Sequence, residues 1–145
     1  MSASLSVRTV MLATMLVALS ALVVGCAPGD GPADLDGTHW TLVDWVEETI
    51  EADEFEVTVA FSDDQITGQA PVNSYGGTYA TGPGNEFSKS QIVQTLLAGP
   101  EDAMRAENVY FALLAEATQY RVENGTLVLI DSDGRDVLVF EETDL

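Results

Sequence analysis

The sequence predicts an α+β fold that is mainly β. It describes an antiparallel sheet of about seven or eight short strands, curled into a partial barrel, with one packed helix. Three observations carry this. Phe55-Glu-Val-Thr-Val-Ala-Phe61 alternates, placing Phe55, Val57, Val59 and Phe61 on one face and Glu56 and Thr58 on the other. Residues 100–118 carry an apolar stripe at helical spacing. Asn124-Gly125, between Arg121-Val-Glu and Thr126-Leu-Val-Leu-Ile130, is the strongest short hairpin signal.

The other elements follow in order. Gly37 to Val46 is β-branched and aromatic, and alternation puts Trp40, Leu42 and Asp44 on one side. Residues 47–54 are an acidic loop, and Ser62-Asp-Asp-Gln65 reads as a turn. Ile66 to Gln69 starts a further strand, and Ala70 to Tyr79 holds two tyrosines around Gly76-Gly77. Gly82-Pro-Gly-Asn85 is a turn before a strand over residues 86–92. Pro100 suits the first helical position, and Glu101 and Asp102 complement the helix dipole. Met104, Val109, Phe111, Leu113, Leu114 and Ala117 supply the stripe, with Glu107 on its edge. Asp131-Ser-Asp-Gly134 turns into a last strand, Val137 to Phe140.

The N-terminus is of another kind. Arg8 precedes the apolar run Val10 to Val24, and Val23-Val24-Gly25-Cys26 holds the only cysteine. The run has the length of a secretory signal and is short for a spanning helix. It resembles a bacterial lipoprotein signal with Cys26 at its lipobox. That resemblance implies that the Cys26 thiol is alkylated by a diacylglycerol and becomes the new N-terminus. An uncleaved anchor helix is the alternative. The expected organisation is a signal peptide over residues 1–25, a Pro/Gly/Asp tether without structure over 26–34, and one domain over 35–145.

Removing residues 1–25 leaves 24 acidic residues against Lys89, Arg105, Arg121 and Arg135, a balance of −20. Nucleic-acid binding needs a basic footprint and is excluded. An acidic surface usually serves solubility, and the sharper reading is a cationic or envelope protein partner. With Cys26 used for the anchor, the domain has no disulfide.

Candidate sites are sparse. Asn73, Tyr75 and Tyr79 form the densest polar-aromatic group. They can present a ligand or partner surface. Equally, Asn73 can hold a turn while the tyrosines pack under the helix. His39 is the only histidine, so zinc ligation and a catalytic triad both lack partners. Asp131-Ser-Asp133-Gly134 is a fragment of a calcium loop without the rest of its ligands. Asn124-Gly-Thr126 fits a glycosylation sequon, although its hairpin role already explains it. Glu107 reads as a partly buried carboxylate for which Arg105 or Arg121 is a candidate partner. No catalytic residue, metal ligand or cofactor is expected.

From Leu35 to Phe140 the ordered motifs resemble the META domain, the family of the heat-shock lipoprotein HslJ. They are Gly37, Trp40 and Leu42; Gly68-Gln-Ala-Pro-Val-Asn73-Ser-Tyr75-Gly-Gly77-Thr-Tyr79; Thr95, Met104, Glu107, Phe111 and Leu114; and Gly125-Thr-Leu127-Val-Leu129 with Leu138-Val-Phe140. Many members have one cysteine before the central Asn and another near the helix start. Val72 and Ala98-Gly99-Pro100 stand there in this chain. The resemblance implies a non-enzymatic envelope domain, linked in some members to stress tolerance. With the signal, it places the protein on the extracytoplasmic side of the membrane, anchored through lipid on Cys26. The alternative is a binding module for a small apolar ligand or a basic peptide. An envelope hydrolase ranks last.

Overall fold

The computed structural model describes residues 33–144. The apolar run, the expected lipidation site at Cys26 and most of the expected tether lie outside them. The tether's last two residues, Ala33 and Asp34, already belong to the domain. Ala33 packs on the core and its carbonyl accepts the Tyr120 hydroxyl at 2.6 Å, and Asp34 Oδ1 accepts the Asp36 N–H at 3.0 Å.

The strands are β1 (His39–Trp45), β2 (Thr58–Ser62), β3 (Gln65–Gln69), β4 (Ser74–Gly82), β5 (Glu86–Gln94), β6 (Ala117–Glu123), β7 (Thr126–Asp131) and β8 (Asp136–Glu142). One helix, α1 (Glu101–Glu116), joins β5 to β6. The strands follow one another around a closed barrel, antiparallel throughout, and β8 returns to β1. The expected partial barrel is therefore closed. Eight strands leave an interior just wide enough for side chains to fill. Here Val59, Phe61, Ile66, Tyr120, Leu127, Leu129, Leu138 and Phe140 fill it.

Local chemistry sets the turns. Ser62 pairs with Gln65 across Asp63 and Asp64, at φ 50 and 62. Glu123 pairs with Thr126 across Asn124 and Gly125, at φ 51 and 76. Both are two-residue hairpins with positive φ at both central positions, which matches strand twist.

The alternation in β1 fails at Asp44. A bulge between Leu42 and Asp44 in the β1–β8 ladder inserts Val43 as an extra residue. The phase slips, so Trp40, Leu42 and Trp45 are buried while Asp44 is exposed. Trp45 then anchors the acidic loop by donating its indole N–H to the Ile50 carbonyl at 2.7 Å. Phe55 also departs from its expected place. The strand begins at Thr58, and Phe55 is only half-buried.

Candidate functional site

Helix α1 packs through Ala103, Ala106, Glu107, Tyr110, Leu113 and Leu114. Met104, Val109 and Phe111, expected in the stripe, are half-buried at its margins. Tyr110 is fully buried at the centre of the face.

Glu107 is 2% exposed, yet among the described residues no arginine pairs with it. Arg105 lies near Glu101, and Arg121 near Asp136 and Glu123. Instead, Glu107 Oε2 accepts the backbone N–H groups of Val72 at 2.9 Å and Asn73 at 2.7 Å. Its Oε1 accepts the Asn73 side-chain amide at 2.6 Å. Asn73 Oδ1 in turn accepts the Thr95 hydroxyl and the Leu97 N–H, both at 2.7 Å. The Asn73 carbonyl accepts the Ala70 N–H at 2.8 Å. A buried carboxylate persists only where such donors replace water.

Tyr75 continues the cluster. Its hydroxyl donates to the Thr58 carbonyl at 2.9 Å and pairs with the Tyr110 hydroxyl at 2.6 Å. Its ring meets Phe111 edge-on at 5.4 Å. Gly68 leaves the room, because a Cβ there would lie 2.0 Å from the Thr58 oxygen and 2.6 Å from the Tyr75 hydroxyl. Burial pushes both hydroxyls well above the usual tyrosine range, so they stay neutral and hydrogen-bonded.

The three candidate residues thus divide. Asn73 and Tyr75 converge on α1, where Asn73 is tied into the turn backbone. Tyr79 packs elsewhere, edge-on to Phe61 at 4.8 Å. Its hydroxyl is raised chiefly by burial, and further by Asp36, Asp34 and Asp64. All three side chains are buried. His39 is half-buried on β1. Asp131 closes its own turn by accepting the N–H groups of Asp133 and Arg135, each at 2.9 Å, and the Arg135 guanidinium. Among the described residues, no three His, Cys, Asp or Glu side chains converge as metal ligands would.

A second feature, which the sequence did not announce, lies between β5 and α1. A cleft of about 530 Å³ is lined by Lys89, Gln91, Ile92, Asn108, Phe111 and Ala115, among others. Lys89 holds its two walls together. Its ammonium donates to the Ala115 carbonyl at 2.9 Å and to the Ala117 carbonyl, satisfying the end of α1. Partial burial draws the Lys89 ammonium below the usual lysine range.

The META domain family matches residues 33–144, all of the described domain. No curated protein matches the chain. Among solved structures, an NMR structure of a protein from Burkholderia xenovorans is 22% identical, with a TM-score of 0.63, covering 82% of this chain and 94% of that one. A crystal structure of a DUF4847 family protein from Bacteroides vulgatus is 13% identical, with a TM-score of 0.61, covering 77% and 96% respectively. These two likenesses show the fold. The motif residues, scattered in sequence, meet in two groups against α1: Asn73 with Thr95 and Glu107, and Tyr75 with Phe111.

Proposed function

The chain belongs to the META domain family, and on that premise we propose that it is a lipid-anchored envelope protein whose domain acts without catalysis. The observation that carries this reading is the lone Cys26 directly after the apolar run, in the setting Val23-Val24-Gly25-Cys26. Diacylglycerol on that thiol, with or without a third acyl chain on the new N-terminus, gives firm attachment. A single acyl chain gives only marginal binding, each buried CH₂ adding about 0.8 kcal/mol. The domain then stands on the extracytoplasmic side, where the family resemblance favours a part in envelope stress tolerance.

The use made of the buried polar groups supports a non-catalytic domain. A general base needs an accessible lone pair near a reacting proton. Glu107 instead faces three donors of its own chain, and the Tyr75 and Tyr110 hydroxyls face each other. The decisive experiment is Cys26→Ser, followed by fractionation of expressing cells. The variant is expected to leave the membrane fraction. Membrane retention equal to that of the parent would overturn the lipid anchor in favour of an uncleaved helix.

A further inference from the structure

We propose that the open edge of β5, with the cleft beside it, docks an extended segment of another protein that is apolar at alternate positions and basic at its ends. Strand β5 pairs with β4 from Gly82↔Glu86 to Tyr75↔Gln94. With β6 it pairs only at Glu86↔Gln119. From Phe87 to Gln94, no strand among the described residues covers its second edge. In an antiparallel ladder, alternate residues turn their N–H and C=O groups to such an edge, which makes it a template for another strand.

The topology explains the opening. At this point α1 enters the chain, and a helix cannot complete a strand's ladder. It lies across the cleft as a second wall, offering the half-buried Phe111 opposite the half-buried Ile92. A strand laid beside β5 takes about 4.8 Å of width. A bulge between Gly76 and Thr78, with Gln91 at φ 54, breaks the β4–β5 ladder partway. An added strand therefore pairs in short runs, and its side chains on Phe111 and Ile92 supply the rest of the contact.

Charge selects the occupant. Glu86 is the only acid between Asp64 and Glu101, in a chain with 24. Lys89 is the only base in that stretch, and it is engaged with the end of α1. Among the described residues, the three most exposed large apolar side chains, Val93 at 69%, Leu96 at 92% and Leu97 at 62%, all lie there. The Asn73 side chain holds Leu97 by its N–H, so these residues stand on a fixed loop. The strip thus suits an uncharged, apolar middle. The acidic field around it attracts basic flanks and repels acidic ones.

The probe is acetyl-Lys-Val-Thr-Val-Thr-Val-Lys-amide, titrated into the ¹⁵N-labelled full chain as the cell processes it, held in neutral detergent. Amide shifts should be confined to residues 87–97 and 108–115. Replacing the central Val of the peptide by Pro, which removes a ladder donor, should weaken binding about tenfold. Val93→Asp, a change at an exposed position, should weaken it comparably while leaving the remaining spectrum in place. Three outcomes would overturn the proposal. They are no shift at these amides up to millimolar peptide, shifts that follow protein concentration alone (a second copy on the edge), and shifts that follow detergent alone (a lipid surface). None depends on Cys26, so this test and the anchoring test fail separately.

Discussion

The two flanks of the barrel are held together by different chemistry. From β6 through β8, backbone ladders along both edges of β7 do the work. Tyr120↔Leu129, Leu127↔Phe140 and their neighbours pair with one irregularity in each ladder, between Ala117 and Gln119 and between Leu129 and Ile130, and a tight Asn124-Gly125 turn closes the hairpin. Side chains there are free to be acidic. The one turn that needs help receives it locally from Asp131, whose carboxyl is held below its usual range by the Arg135 backbone N–H and guanidinium. From β3 through β5 one edge is open and charge is nearly absent. There α1 is bound to the sheet by side chains, with Glu107 and Asn73 at one point, Tyr75 and Tyr110 at another, and Lys89 at a third. Where strand pairing lapses, buried polar side chains take over the work of closure.

The largest test of that contrast removes Glu107. Glu107→Ala leaves the N–H groups of Val72 and Asn73 and the Asn73 amide without their acceptor. Hydrogen bonds to a charged group contribute about 1.5–3 kcal/mol each, and they do not add fully. A loss of about 3–5 kcal/mol is expected in urea unfolding. Glu107→Gln, which keeps one carbonyl oxygen, should lose about 2 kcal/mol. Hydrogen exchange should show the Leu97 amide losing protection while Leu129 keeps it. Equal loss at both amides would mean that the two flanks are one cooperative unit.

A second test strengthens the side-chain-held region. Val72 and Gly99 face each other at close range. A Cβ on Gly99 would lie 3.5 Å from the Val72 Cβ and 2.7 Å from its Cγ2. The first distance fits a disulfide, and the second clash disappears when the valine methyls are removed. Val72→Cys with Gly99→Cys should therefore crosslink the turn before β4 to the segment before α1. Oxidised protein should exceed reduced protein by about 3 kcal/mol. Thiol titration and urea unfolding of the two forms provide the check, and free thiols after oxidation would show that the loop sits elsewhere.

What could be read from the sequence follows the same division. The Asn124-Gly125 hairpin, the Asp63-Asp64 turn and the span of α1 were legible because each is specified within a few residues. Closure of the barrel was not, since it depends on β8 meeting β1 across the length of the domain. Asp44 misled because a one-residue bulge inverts every later side chain. The partner of Glu107 lies 34 residues away in Asn73, and nothing local marks it. Tyr110 was hidden between Val109 and Phe111. The spacing of Ala103, Ala106, Tyr110, Leu113, Leu114 and Ala117 carried the signal, weakened by three alanines and by Glu107 on the same face.

The smallest effect expected is that of Tyr75→Phe, and its sign with pH makes it informative. The substitution keeps the ring on Phe111 and removes the hydroxyl that serves Thr58 and Tyr110. At neutral pH this should cost about 1–2 kcal/mol. In the folded protein, burial raises the Tyr75 and Tyr110 hydroxyls above their ordinary range. The unfolded chain therefore loses these protons first, near the ordinary tyrosine value of about 10. Stability from the neutral pair is complete below that pH and declines as pH rises above it. Tyr75→Phe removes one of the two groups, so its stability should fall less steeply than that of the parent between about pH 9 and pH 11. Urea midpoints across that range provide the comparison. Parallel curves would mean that the pair is already open to hydroxide in the folded state, and that the side-chain closure beneath α1 is looser than the ladder closure opposite.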